Sequence, residues 1–164
     1  MHTSTLAIRS FSDGDAEAVL NVHYSAIHGC TSSDYDADTL NEWAPPVDPK
    51  RVDGLLREKV ADGMTMLVAT ELDNVVGFAS IVPSKSTLRA VYIASRFQRR
   101  GIGKKLLVAA EEFAKQQGVS TLHLNSSLNA VAFYLACGYE TVGDGVHRLR
   151  SGRQMACIQM SKRL

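Results

Sequence analysis

Apolar side chains recur with a helical period in the first third of the chain, where several turn-forming residues interrupt them. A short strand is expected over 5–9, followed by a helix over 13–28 whose apolar residues share one face. A second, short helix ends near Trp43, because the Ala-Pro-Pro sequence that follows cannot continue it. A third helix is expected over 48–63, with proline in its first turn and Val60 on its apolar face.

From residue 64 onward the pattern becomes strand-like. Apolar runs over 64–71 and 75–82 predict an antiparallel hairpin, and a third strand is expected over 86–93. The next helix ends at residue 117, and its Glu111 and Lys115 are expected to pair on the solvent side. The remaining predicted elements are a strand over 120–125, a short helix over 128–136 and two strands between 139 and the C-terminus.

A cationic loop, Arg96–Lys105, lies between the third strand of this region and the helix that follows. It holds five basic side chains and no acid, around Gly101 and Gly103. A turn through glycines into a helix favours anion binding, since the first helical N–H groups have no intrahelical partner and the helix dipole is positive there. Basic side chains oppose that dipole, so their presence also indicates an anionic ligand.

Two common phosphate-binding loops are excluded by the residues that follow the glycines. Leu106 stands where a dinucleotide loop has its third glycine, and Lys105 stands where a nucleotidase loop has Ser or Thr. The loop is therefore predicted to hold phosphate in another way.

Composition is typical of a single globular domain spanning 1–164. The 164 residues are 45% apolar and 21% charged, and no apolar run is long enough to cross a bilayer. The first residues show no secretory signal, and Cys30, Cys137 and Cys157 have no metal-binding spacing. A cytoplasmic location with free thiols is expected.

Charge is distributed unevenly along the chain. Residues 1–95 carry 7 basic and 13 acidic side chains, whereas residues 96–164 carry 11 basic and 4 acidic ones. Nucleic acid binding is a conceivable use of the basic half. A small polyanion is preferred, because a glycine turn predicts one compact phosphate site rather than a long track. We therefore expect neither a nucleic acid nor a membrane as partner.

Two segments resemble one known family. Gln98-Arg99-Arg100-Gly101-Ile102-Gly103 resembles the Gln/Arg-x-x-Gly-x-Gly/Ala pyrophosphate loop of the GNAT superfamily of acetyl-CoA-dependent N-acetyltransferases. Asn129–Tyr139 resembles the family segment Asn-x-x-Ala-x-x-Phe-Tyr-x-x-x-Gly-Phe, at the expected distance after the pyrophosphate loop. The order of predicted elements is similar over essentially the whole chain. The resemblance implies an α+β fold, with a single mixed, mostly antiparallel twisted sheet of about seven strands flanked by helices.

Acetyl-CoA is the cofactor that this resemblance implies. The backbone of Val91 and Ile93 is expected to pair with its pantetheine, and the N–H of Ile93 to polarise the thioester carbonyl. Loop N–H groups are expected to hold the pyrophosphate. The implied cofactor-binding residues are Val91, Tyr92, Ile93, Gln98, Arg99, Arg100, Gly101, Ile102, Gly103, Lys104, Asn129, Phe133 and Tyr134.

The implied reaction is acetyl transfer to a primary amine within a ternary complex. The resemblance assigns Tyr134 the role of protonating the leaving thiolate. Many relatives carry an acid on the third strand or the one before it, whereas this chain has Thr87, Arg89 and Ala90 on the third strand. The remaining candidates for a general base are Glu71, Glu42, Asp34, His28 and His147.

The acceptor itself is left open. Two segments, 28–35 and 147–152, resemble a bacterial small-molecule-type subgroup whose substrates are mostly unassigned. Candidate substrate contacts are His28, Asp34, Tyr35, Trp43 and His147. The acceptor is a small amine or a peptide, including a protein N-terminus or lysine, and a non-catalytic acetyl-CoA sensor is the alternative. No metal site is expected, and the protein is predicted to be a monomer or homodimer.

Overall fold

A computed structural model describes residues 5–29 and 34–164 of the chain. Cys30 lies outside these ranges, and the described cysteines, Cys137 and Cys157, are free thiols. The strands are β1 (Leu6–Ser10), β2 (Thr65–Glu71), β3 (Asn74–Val82), β4 (Thr87–Ile93), β5 (Thr121–Ser127), β6 (Glu140–Arg148) and β7 (Gln154–Arg163). The helices are α1 (Ala16–Gly29), α2 (Ala37–Trp43), α3 (Pro49–Ala61), α4 (Ile102–Gln116) and α5 (Val131–Ala136).

All seven strands form one sheet in the order β1-β2-β3-β4-β5-β7-β6. Neighbouring strands are antiparallel except β4 and β5, which are parallel. The α+β fold with a mixed, mostly antiparallel sheet is therefore confirmed.

The parallel pair β4–β5 is joined at one end only. Thr87 and His123 are its single registered pair, and the N–H of His123 donates to the carbonyl of Ser86 at 2.9 Å. Beyond this point the strands diverge, so the C-terminal halves of β4 and β5 leave a gap in the sheet.

The two faces of the sheet bury separate apolar clusters, as alternation along the strands requires. On one face, α4 packs against β2, β3 and β4 through a buried stripe. Its fully buried members are Ile102, Leu106, Leu107, Ala110 and Ala114. On the other face, Val19 and Val22 of α1 meet Val68 and Phe78. Both helices therefore cover the sheet at β3 and β4, one on each face.

Helix α3 contributes less to the core than its pattern predicts. It contains no buried residue, and the side chain of Val60 is 80% exposed. The helix packs against α1 at the periphery of the fold, so only part of its apolar face is covered. The predicted burial of Val60 is therefore wrong.

Glu111 does not pair with Lys115. It follows Leu107 by one helical turn and faces the sheet, where it is 9% exposed, whereas Lys115 is exposed. Its carboxylate accepts from Lys162 Nζ at 3.0 Å on both oxygens and from the hydroxyl of Tyr139 at 3.2 Å. Lys162 Nζ also donates to the carbonyl of Cys137 at 2.9 Å, immediately after α5.

We expect Lys162→Met to lower the free energy of unfolding by about 2 kcal/mol, because it leaves the buried Glu111 carboxylate without its charged partner. Urea unfolding followed by circular dichroism measures the effect. Lys115→Met is the control, because Lys115 is exposed on α4, the helix that carries Glu111. It should change the free energy of unfolding by less than about 0.5 kcal/mol. Equal effects of the two substitutions would contradict a stabilising role for the buried pair.

Candidate active site

The gap between β4 and β5 opens into a cleft of about 530 Å³. Its walls are the second half of β4, the cationic loop, the end of β5 and the segment leading through α5. Predicted site residues that line it are Val91, Tyr92, Ile93, Gln98, Arg99, Gly101, Ile102, Gly103, Lys104, Asn129, Phe133, Tyr134 and Trp43. Residues from three separate parts of the chain are thus brought to one cleft.

The backbone of β4 presents hydrogen-bonding groups to this cleft. The N–H of Ala94 donates to the carbonyl of Val76 at 2.9 Å, which is on the β3 side. Because successive strand residues alternate in direction, the N–H groups of Ile93 and Val91 face away from β3. Gln98 Nε2 donates to the carbonyl of Ile93 at 3.1 Å, so this side chain also ties the loop to the strand.

The cationic loop has a backbone suited to an anion. Arg99 has φ of 61° and Gly101 has φ of 80°, and residues in this left-handed region between right-handed ones direct consecutive N–H groups into one concavity. Helix α4 begins at Ile102 without a side-chain cap or an acid in its first turn. Its first N–H groups are therefore available to a phosphate.

The start of α4 lies close to α5 at Gly103. A Cβ atom at this position would stand 3.4 Å from the ring of Phe133. The cleft therefore narrows where the start of α4 and the aromatic side of α5 face each other.

The basic side chains of the loop are used in two ways. Arg99 and Lys104 line the cleft, and neither makes an ion pair with a described residue. Arg100 is directed elsewhere: its Nη2 lies 2.6 Å from Glu71 Oε1, and its guanidinium lies over the Phe97 ring. The side chain of Arg100, which was predicted to bind the cofactor, therefore does not line the cleft.

Tyr134 lines the cleft from α5. Its side chain is 7% exposed and packs edge-on against the rings of Phe133 and Tyr139 at 5.1 and 5.5 Å. The hydroxyl makes no hydrogen bond to any residue that the structure describes, although the ring lines the cleft. Burial raises the pKa of Tyr134, so the phenol keeps its proton at neutral pH.

One part of the cleft lining is aromatic. Trp43 lines it together with Tyr92, Ala26 and Ile27. The ring of His23, which does not line the cleft, lies 4.8 Å from that of Tyr92 and 6.2 Å from that of Trp43. Burial, with the nearby charges of Arg51 and His28, lowers the pKa of His23 to about 4.

None of the five predicted general bases lines the cleft. Glu71 is held by Arg100, and Glu42 lies 3.3 Å from Arg153. The Nε2–H of His28 donates to the carbonyl of Ala44 at 2.7 Å, so that nitrogen has no lone pair to offer. Asp34 and His147 are exposed away from the cleft lining.

Several lining residues were not predicted. Asn125, Ser126 and Ser127 come from the end of β5, and Arg89 comes from the bulged part of β4. The sequence did contain a signal for Ser127. The second family segment can be aligned on Ala130, Phe133-Tyr134 and Gly138, and the asparagine of the family pattern then falls on Ser127 rather than on Asn129. Both residues line the cleft.

Comparison with known proteins gives the family. A model for an acetyltransferase (GNAT) domain matches residues 31–164. The chain belongs to the GNAT acetyltransferase family. The predicted enzyme class, N-acetyltransferase, and the predicted cofactor, acetyl-CoA, are confirmed with it.

Three relatives illustrate the similarity to this GNAT chain. A curated candidate acetyltransferase from Bacillus subtilis is 31% identical over 64 residues, which span 39% of this chain and 44% of that relative. A GCN5-related N-acetyltransferase from Rhodopseudomonas palustris is 27% identical, with a TM-score of 0.85 over 100% of this chain and 99% of its own. PaiA N-acetyltransferase from Thermoplasma acidophilum, solved in complex with coenzyme A, shares the fold at 20% identity, with a TM-score of 0.76 over 98% and 99% of the two chains.

The cleft of this GNAT domain fits an acyl-CoA. It joins an anion-binding loop and the edge of β4 that faces away from β3, which match a pyrophosphate and the amides of pantetheine. Residues 5–29 and 34–164 contain no cluster of His, Cys, Asp or Glu that could hold a metal ion. No helix within those residues is long and apolar enough to cross a membrane.

We expect Lys104→Ala and Arg99→Ala each to weaken acetyl-CoA binding about 5-fold to 10-fold at low salt, because each removes a cation facing the anion-binding loop. The loss should shrink in 0.5 M NaCl, where such contacts are screened. Isothermal titration calorimetry measures both effects. Lys105→Ala, in the same helical turn but outside the cleft lining, is the control, and an equal loss there would contradict a specific contact.

His23 is expected to stay neutral well below pH 6, because its pKa of about 4 lies below the ordinary value of about 6.5. The unfolded chain takes up this proton first, so the free energy of unfolding should fall as pH drops from about 6.5 toward 4. His23→Phe should remove that part of the slope, which is at most about 1.4 kcal/mol per pH unit.

Denaturant unfolding at several pH values tests this expectation, together with NMR titration of the imidazole. His123→Gln, exposed on β5, is the control substitution. Protonation of His23 in the folded protein near pH 6.5 would contradict the burial argument.

Proposed function

We propose that this protein transfers an acetyl group from acetyl-CoA to a primary amine by direct attack in a ternary complex, and that residues 1–164 form one catalytic domain. One observation carries the proposal. The cleft between β4 and β5 is lined by the anion-binding loop and Tyr134, and also by Trp43 and Tyr92. Donor and acceptor can therefore meet without a covalent enzyme intermediate.

The cofactor is held mainly by backbone groups in this proposal. The N–H groups from Arg99 through Lys104 hold the pyrophosphate, with the side chains of Arg99 and Lys104 adding charge. The free edge of β4 at Val91 and Ile93 pairs with pantetheine as an added strand would. Asn129 and Phe133 close the opposite wall.

Bound acetyl-CoA supplies a thioester carbonyl that the acceptor nitrogen attacks. The N–H of Ile93 stabilises the negative charge that develops on the carbonyl oxygen as the carbon–nitrogen bond forms. Tyr134 directs its hydroxyl toward the sulfur and donates its proton as the carbon–sulfur bond breaks. Because burial raises its pKa, Tyr134 recovers a proton readily, and the acceptor nitrogen releases one to solvent.

A dedicated base is not required by this scheme. The described lining contains no Asp, Glu or His, so the acceptor reaches the cleft as a neutral amine or loses its proton through water. An alkylamine has a pKa of about 10.4, and the rate should therefore rise with pH through the neutral range.

The same absence of a base in the described lining supports a second candidate, a non-catalytic acetyl-CoA sensor. Thiol release from acetyl-CoA, measured with small amines and with peptides bearing a free N-terminus or lysine, separates the candidates. Turnover of small amines alone supports a small-molecule acceptor, and turnover of peptides supports protein acetylation. Binding of acetyl-CoA without thiol release from any acceptor would favour the sensor.

Tyr134→Phe should lower kcat about 100-fold while leaving the acetyl-CoA dissociation constant within about twofold, because only the proton donor is removed. Steady-state thiol release and calorimetry provide the two numbers. Tyr24→Phe, half-exposed on α1, is the matched control. An unchanged kcat in Tyr134→Phe would remove this hydroxyl from the mechanism.

A further inference from the structure

Tyr35 joins two parts of the chain that are distant from it in sequence. Its hydroxyl donates to the carbonyl of Ala156 in β7 at 2.6 Å and accepts from the N–H of Leu128 at 3.0 Å. The predicted role of Tyr35 was contact with the acceptor. Its polar atom is instead occupied by two backbone groups.

Both of these backbone groups lack a partner in regular structure. Strand β5 ends at Ser127, opposite Cys157, so β7 continues past it at Ala156. Leu128 begins a 3-10 turn, Leu128–Ala130, whose preceding residue supplies no side-chain cap. The bond from the Leu128 N–H is part-buried and the bond to the Ala156 carbonyl is exposed, and one phenol oxygen gives each of these backbone groups a partner.

The turn that Tyr35 holds leads directly into α5. Asn129, Phe133 and Tyr134 all lie on this segment and line the cleft. At its other end, Lys162 Nζ donates to the carbonyl of Cys137. The segment from 128 to 137 is therefore tied down at both ends by side chains from outside it.

The ring of Tyr35 also touches the acceptor side. It packs edge-on against Trp43 at a centroid distance of 5.8 Å, and Trp43 in turn lies 6.2 Å from the ring of Tyr92. Helix α2, which ends at Trp43, is attached to the β6–β7 connection through Glu42, which accepts from the N–H of Ser151 at 2.9 Å. Tyr35 therefore contacts both the acceptor wall and the segment that carries Tyr134.

We propose that Tyr35 is a positioning residue: its hydroxyl fixes the start of the 128–137 segment, and so couples the acceptor wall at Trp43 to the placement of the Tyr134 hydroxyl. The inference rests on the proposed function, in which Tyr134 serves as proton donor. Burial raises the pKa of Tyr35, so the phenol is available both to donate and to accept at neutral pH.

Tyr35→Phe removes the two hydrogen bonds and keeps the ring against Trp43. We expect kcat to fall about 10-fold, because a small misplacement of a catalytic group is costly, whereas Tyr24→Phe should leave kcat unchanged. The decisive measurement is a double-mutant cycle with Tyr134→Phe. If Tyr35 acts through Tyr134, adding Tyr35→Phe to Tyr134→Phe should lower kcat by less than twofold further, and multiplicative losses would overturn the proposal.

Leu128→Pro is a second variant that keeps Tyr35 intact. It deletes the N–H that donates to the Tyr35 hydroxyl and replaces the partly buried leucine side chain, and proline suits the first position of a turn. Ser127, with φ of −58° and ψ of 153°, already has the backbone that a residue before proline adopts. This variant should reproduce the kcat loss of Tyr35→Phe, and full activity would overturn the proposal.

Hydrogen exchange of the Leu128 amide needs no acceptor and is independent of Tyr134. Tyr35→Phe should speed this exchange at least tenfold, and unchanged protection would overturn the proposal. If Tyr134→Phe proves to have normal kcat, the proposed role of Tyr134 fails, and the exchange result alone then decides whether Tyr35 holds the segment. Trp43, the single tryptophan of the chain, reports acceptor binding by its fluorescence in the same variants.

Discussion

The divergence of β4 from β5 is the constraint on which the site depends. Two parallel neighbours that share one registered pair must leave backbone groups without strand partners along the rest of their length. Such an edge is costly if buried and empty, yet it is well suited to a ligand that carries its own amides. The interruption of the sheet is therefore suited to binding a ligand. The start of α4 and residues of α5 line the same cleft.

Side-chain hydrogen bonds on both sides of the gap hold the segments that border it. On the β4 side, Gln98 caps the carbonyl of Ile93 and holds the cationic loop against the strand. On the β5 side, Lys162 and Tyr35 hold the two ends of the 128–137 segment. These side chains hold the borders of the cleft by hydrogen bonds to backbone groups, and Gln98 also forms part of the cleft lining.

A feature could be predicted from the sequence when the residues that form it are close together along the chain. The cationic loop is a local feature, because its φ angles and its helix start depend on adjacent residues, and Gly101 and Gly103 mark them. The helix carrying Tyr134 is likewise marked by a contiguous segment. Glu111 was misassigned because its charge suggested solvent, whereas its partner Lys162 lies 51 residues away on β7. The hydrogen bonds of Tyr35, 93 and 121 residues away along the chain, have no local signature at all.

The same distinction separates the two halves of the active site. In the proposed complex, acetyl-CoA is bound mainly through backbone groups whose positions follow from strand, turn and helix, so many different sequences can build that half. The proposed acceptor half is assembled from side chains of α1, α2 and β4, and its shape depends on how Trp43, Tyr92 and His23 pack together. A change in any of these rings alters the acceptor wall without touching the cofactor loop. Acceptor preference can therefore diverge between relatives that keep the same donor, and Tyr35 is where this variable wall meets the helix that carries Tyr134.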